Sequence, residues 1–116
     1  MSESSIDFVV QKERKLELSH VLNYPNPFTT NTQFYFEHNQ ICNQLKVQIE
    51  VLTITGRLVK TIREDVSLQG FRSEGISWDG RDEFGDKLGK GVYVYRVTVQ
   101  NSVGEQTEKI EKLVIL

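Results

Sequence analysis

Gly91-Val92-Tyr93-Val94-Tyr95-Arg96-Val97-Thr98-Val99-Gln100 is the stretch on which the fold turns. Valine, threonine and tyrosine fit a pleated sheet surface, and a glycine opens the run, so it reads as a strand. Tyr93 and Tyr95 fall on one face, where two rings at a spacing of two pack on the core or on the sheet. Asn101 to Gly104 form a turn, and Lys109 to Leu116 follow as a last strand that ends on the final residue.

Working back from Gly91, Asp79-Gly80-Arg81-Asp82-Glu83-Phe84-Gly85-Asp86 is dense with turn formers, and Ile76-Ser77-Trp78 is a short strand. Residues 65–75 are polar and contain Gly70 and Gly75, which predicts a loop. Leu45, Val47, Ile49 and Val51 share one face of a strand over 45–54. Gln48 and Glu50 occupy the other face, followed there by Leu52 and Ile54, so this strand is expected to become buried on both sides. Thr55-Gly56 turns it into a hairpin with Arg57 to Ile62. Gln33 to His38 is an aromatic strand, and Leu16 to Leu22 is another. The latter runs into Asn23-Tyr24-Pro25-Asn26-Pro27-Phe28, where the prolines lack N–H groups and predict an extended, irregular crossing.

No segment has a helical period over ten or more residues. The fold class is therefore all-β, and the strand count is that of a seven-stranded antiparallel immunoglobulin-like or fibronectin-like β-sandwich. Residues 16–116 form the sandwich domain. Residues 1–15 read as a linker or a frayed edge strand from an upstream domain, with Ile6 to Val10 as the strand-like part. The polar start, Met1 to Ser5, reads as an arbitrary boundary.

The 116 residues suit one domain with a modest core. At 38% hydrophobic and 26% charged, the composition is that of an ordinary globular domain. A net charge of -2 gives no reason to expect a nucleic acid or an anionic membrane as partner. No apolar run is long enough to span a bilayer, and the start lacks a signal-peptide pattern, so an export signal of the parent would lie outside this stretch. The single cysteine allows no internal disulfide, and the core must hold the domain together.

Residues that carry chemistry are sparse. Cys42 lies near His38 in sequence, with His20 distant, but no orienting group or oxyanion hole accompanies them, so Cys42 reads as an incidental loop thiol. One cysteine and two scattered histidines do not make a zinc site. Asp79, Asp82, Glu83 and Asp86 form a weak calcium candidate, since calcium takes several oxygen ligands from flexible loops. Arg81 and Lys87 partly neutralise this cluster, and Asp favours turns by bonding the nearby backbone, so turn chemistry is the preferred reading. No cofactor or metal is expected, and no constellation supports an enzyme. Trp78 reads as a plug between the sheets; stacking on a sugar would need its ring exposed.

Three motifs in order carry a family resemblance: Asn23-Tyr24-Pro25-Asn26-Pro27-Phe28, then Thr55-Gly56-Arg57-Leu58-Val59, then Trp78-Asp79-Gly80-Arg81-Asp82 with Gly85, Gly89 and Gly91-Val92-Tyr93-Val94-Tyr95-Arg96. This set resembles the immunoglobulin-like C-terminal module shared by flagellar hook-capping proteins and many exported Bacteroidetes proteins. Glu111-Lys112-Leu113-Val114-Ile115-Leu116 resembles the end of type IX (Por) secretion cargo. The likeness is greatest to the C-terminal domains of gingipain-like type IX secretion sortases, through Tyr35-Phe36-Glu37-His38-Asn39-Gln40, the run from Trp78 to Asp86, and the ending. The catalytic pair of such a peptidase would lie upstream, not at Cys42 and His38.

The resemblance implies a non-catalytic module that carries its parent across the outer membrane and anchors it at the cell surface of a Gram-negative bacterium. Its partners would be outer-membrane secretion and shuttle proteins and the upstream catalytic domain, with no membrane insertion. Lys109, Glu111, Lys112, Leu113, Val114, Ile115 and Leu116 would bind the partner. Tyr24, Pro25, Pro27, Phe28, Trp78, Gly91, Tyr93 and Tyr95 would be structural. Charges on an apolar terminal strand also suit an exposed edge. Two other functions are open: an accessory module binding carbohydrate or another surface ligand, and an assembly module as in a flagellar cap.

Overall fold

In a computed structural model, residues 15–40, 43–68 and 70–116 are described. Seven strands follow in chain order: β1 (Leu18–Tyr24), β2 (Thr32–His38), β3 (Asn43–Thr53), β4 (Leu58–Leu68), β5 (Ile76–Trp78), β6 (Gly91–Gln100) and β7 (Gln106–Ile115). They build two sheets, with orders β1-β2-β5 and β4-β3-β6-β7, and every strand pair is antiparallel. The protein is an all-β sandwich.

Period-two burial places the core between the sheets. Val47, Ile49 and Val51 of β3 lie beside Val99, Val97 and Tyr95 of β6, and all six are buried. Phe34 and Phe36 of β2 and Ile76 and Trp78 of β5 close over them from the facing sheet. Phe34 bridges the layers: its ring lies 4.9 Å from Tyr95, edge to face, and 6.1 Å from Trp78, stacked. Phe28 meets the other side of Trp78, with centroids 5.8 Å apart.

Several boundaries differ from the sequence reading, each for a tertiary reason. Residues 65–68 continue β4 instead of starting a loop: Asp65-Val66-Ser67-Leu68 alternates polar and apolar residues, and β3 offers a ladder in which Asp65 pairs with Lys46 and Val66 with Leu45. β7 begins at Gln106, three residues early, by pairing with Gln100, and it ends at Ile115, one residue before the terminus. Ile54 is not buried; it sits on the hairpin turn, 70% exposed, while Leu52 is half-buried.

β1 runs on to Tyr24 because its register shifts between Ser19 and Leu22, where His20 takes a φ of 51°. Histidine tolerates this left-handed conformation better than bulky residues do. The irregularity moves the inward phase from Leu16 and Leu18 to Asn23, which leaves Leu22 facing solvent. Residues 1–14, including the strand-like 6–10, lie outside the described residues, as does Cys42.

Candidate functional site

β7 is the edge of the four-stranded sheet, paired with β6 on one side only. Its two ends differ. At the C-terminal end, Leu113 and Ile115 are buried in the core, and the outer flank is covered by the crossing at residues 26–28. There the Phe28 N–H donates to the Val114 carbonyl (3.1 Å), and the Leu116 N–H donates to the Phe28 carbonyl (2.9 Å). Asn26 completes the cover with its side chain: Oδ1 accepts from the Val114 N–H (3.0 Å), and Nδ2 donates to the Lys112 carbonyl (3.2 Å).

The crossing is itself held by a polar cluster. Thr32 Oγ1 donates to the Pro25 carbonyl (2.8 Å), and Asn23 Nδ2 donates to Thr32 Oγ1 (3.2 Å). Pro25 and Pro27, both after cis bonds, lie on the surface, and Tyr24 is 70% exposed, whereas Phe28 is buried.

These contacts show which β7 backbone groups face away from β6. Val114 and Lys112 present theirs outward, and in an antiparallel ladder the outward groups belong to alternate residues. Ile110 and Glu108 therefore point their N–H and C=O groups outward too, and no described residue hydrogen-bonds to them. All side chains from Glu108 to Lys112 are exposed, Ile110 by 58%. On the inner face, Lys109 and Glu111 stand beside Val97 and Tyr95 but lie outside the cover of the facing sheet. An edge of this kind can accept an added strand.

Among the terminal-strand candidates, Lys109, Glu111 and Lys112 thus lie on the open edge. Val114 is half-buried under Asn26, Leu116 is exposed, and Leu113 and Ile115 are core residues. Two features had no sequence signal. The Asn26 clamp joins groups 86 and 88 residues apart. The openness at Glu108 and Ile110 depends on where the crossing stops covering the strand.

The acidic loop is occupied by its own turn. Asp79 Oδ1 accepts from the Arg81 N–H (3.2 Å), and Asp82 Oδ1 accepts from the N–H groups of Phe84 and Asp86 (both 2.9 Å). Glu83 turns away to accept from the Thr61 N–H (3.2 Å). Among the described residues no three acidic, histidine or cysteine side chains converge as metal ligands. Trp78 is only 4% exposed, and its Nε1 donates to the Arg81 carbonyl (3.0 Å), so its faces are not open to a sugar. Gly91 has a φ of 146° at the start of β6, and Tyr93 is half-buried beside the core with its hydroxyl donating to the Gly89 carbonyl.

His38 is buried, and its Nδ1 accepts from the Gln40 N–H (3.1 Å). Burial holds its pKa below the ordinary histidine value; a looser backbone contact with Gly70 works the other way, and Nε2 has no well-formed partner among the described residues. Burial, and then the Glu111 charge, push the Tyr95 hydroxyl above the usual tyrosine range. His20 lies on the surface, 3.0 Å from Glu37.

The family described as a secretion system C-terminal sorting domain matches residues 23–115. Among solved structures, the chain is similar to dimeric latent PorU from Porphyromonas gingivalis, with 31% identity and a TM-score of 0.76. The match covers 89% of this chain and 10% of that protein, so the chain spans about a tenth of its length. FlgD from Xanthomonas campestris, a hook-capping protein, shares the fold at 18% identity and a TM-score of 0.54, over 86% of this chain and 67% of that one. No curated protein sequence matches the chain.

Proposed function

The chain belongs to the secretion system C-terminal sorting domain family, and from that premise we propose that it is the non-catalytic export and anchoring module of a larger cell-surface protein. Residues 16–116 act as the module, and 1–15 connect it to an upstream domain. The likeness to PorU supports a parent of the type IX sortase kind, whose cysteine-peptidase residues would lie upstream. The module works by binding an outer-membrane component of the secretion apparatus.

The observation that carries this reading is the open stretch of β7. Among the described residues, Glu108 and Ile110 present unpaired backbone and the run from Glu108 to Lys112 exposes its charges, while Leu113 and Ile115 hold the same strand in the core. A docking edge must have both properties, because added strands gain affinity from main-chain hydrogen bonds only if the receiving strand is already rigid. Side chains on the edge then supply selectivity, and Lys109, Glu111 and Lys112 are the ones offered.

The test is a reporter fused ahead of the chain and expressed in a bacterium with a type IX apparatus. The native chain should bring the reporter to the cell surface. Replacing Lys109, Glu111 and Lys112 together by alanine should cut the surface signal by roughly tenfold, equivalent to about 1.4 kcal/mol of binding, with the reporter retained in the periplasm. All three side chains are exposed, so the melting curve should barely move. Undiminished surface delivery by the folded variant would remove β7 from the recognition surface.

A further inference from the structure

We propose that the open stretch of β7 is self-complementary and that it pairs with the same stretch of a second copy of this chain. In Glu108-Lys109-Ile110-Glu111-Lys112 the signs of charge are inverted about Ile110: each residue on one side has its opposite at the same distance on the other. In an antiparallel pair with its two-fold axis at Ile110, Glu108 stands opposite Lys112 of the partner subunit, and Lys109 stands opposite Glu111 of the partner subunit. The two isoleucines meet on the axis. Every charge on the strand finds the opposite sign, and the one exposed apolar side chain at its centre finds its own copy.

The backbone phase agrees with this register. Outward groups belong to Glu108, Ile110 and Lys112, so Ile110 forms a hydrogen-bonded pair, each N–H meeting the other carbonyl. Each Lys112 N–H then reaches the Glu108 carbonyl of the partner subunit. Four main-chain bonds form, and none requires the Lys112 carbonyl already held by Asn26.

Competing registers fail on the same residues. An axis at Glu108 sets two glutamates face to face. An axis at Lys112 sets two lysines together and drives the incoming strand into Asn26 and Phe28, which already cover Val114. An axis at Lys109 or Glu111 aligns residues whose backbone is committed to β6. The crossing at 26–28 therefore acts as a stop that selects one register.

None of Glu108, Lys109, Glu111 and Lys112 forms an ion pair with a described residue, so their charges remain available for the second copy. The contact is small, which makes the dimer weak and concentration-dependent. It uses the edge assigned above to export, so a paired copy would hide that edge. The self-pairing is tested without any secretion apparatus, and it can fail while the export reading stands.

The measurement is sedimentation of the purified 116-residue chain over a concentration series, with thermal melting to confirm that each variant is folded. The native chain should shift from monomer to dimer. Glu108→Lys should weaken the dimer by roughly tenfold or more, because two lysine pairs then face each other. Adding Lys112→Glu to that variant should restore the dimer, since complementarity returns with the signs exchanged. Ile110→Pro should abolish it without harming the monomer, because that N–H faces away from β6 and donates to no ladder bond. A native chain that stays monomeric at the highest soluble concentration overturns the proposal. So does a dimer indifferent to Glu108→Lys, or one that the double variant fails to restore. A chain that stays monomeric, while the same substitutions reduce surface delivery of the fused reporter, would overturn the self-pairing and assign the edge to a foreign strand.

Discussion

Trp78 shows how one side chain ties the two sheets together. It belongs to the shortest strand, yet it touches Phe28 from the crossing and Phe34 from β2, and Phe34 passes the contact to Tyr95 across the core. Trp78→Ala should lower unfolding stability by about 3–5 kcal/mol, because the cavity would lie between the Phe28 and Phe34 rings. Chemical denaturation would measure this, and an unchanged midpoint would contradict the packing described. His38 makes a different kind of prediction. Its folded-state pKa is depressed, and Nδ1 can accept the Gln40 N–H only while unprotonated. Its contribution is therefore full above about pH 6.5, where the unfolded chain also leaves histidine neutral. It falls as pH drops below that value and stops falling once the folded-state pKa is passed. His38→Gln should remove this slope, seen as a smaller stability difference between about pH 7 and pH 5 than in the parent. That a large ring at position 78 serves the core was readable from its type, since few residues fill an inter-sheet gap as well. The period of two set by Phe34 and Phe36 puts His38 on the inward face, but that β2 stays regular as far as position 38 was not readable from Glu37-His38-Asn39.

At the level of the strand, β7 is held by an element far from it in sequence. Asn26 replaces the missing ladder partner with both atoms of its amide, and the flanking prolines cannot continue a ladder of their own. Asn26→Ala should cost about 1 kcal/mol, the low end for two hydrogen bonds at roughly 0.5–1.5 each, because both are exposed. The sharper readout is local: the Val114 amide should exchange with solvent faster while the Val97 amide, in the middle of the sheet, stays protected. Equal protection at both sites in the variant would show that Asn26 does not secure the edge. The strands themselves were mostly readable from apolar alternation and turn residues. Their lengths were not, as β4 and β7 show. Asp65-Val66-Ser67-Leu68 alternates polar and apolar residues but leads into a glycine-containing stretch, and residues 106–108 are polar; both become strand because β3 and β6 extend alongside them. Pairing supplies the hydrogen bonds there, and composition has no bearing on that.

For the molecule as a whole, the last strand is part of the core at one end and an open edge at the other. Leu113 and Ile115 are core residues, so deletion of 109–116 would strip two buried aliphatic side chains and expose Tyr95 and Val97 along their flank. Losses of about 2–5 kcal/mol per buried aliphatic residue would consume most of a typical domain's 5–15 kcal/mol. We expect the truncated chain to lack a cooperative thermal transition, whereas the triple alanine variant of Lys109, Glu111 and Lys112 keeps one. A sharp transition in the truncated chain would mean that β7 is an appendage rather than part of the sandwich. Strand character, the number of strands, the turn at the acidic loop and the family motifs all come from residue types at short spacing, where local sterics and side-chain chemistry act. Which backbone groups of β7 stay unpaired, which terminal residues are anchor and which are surface, and where the edge closes depend on contacts between residues more than eighty positions apart. Those contacts are set by how the two sheets pack, so only the folded molecule decides them.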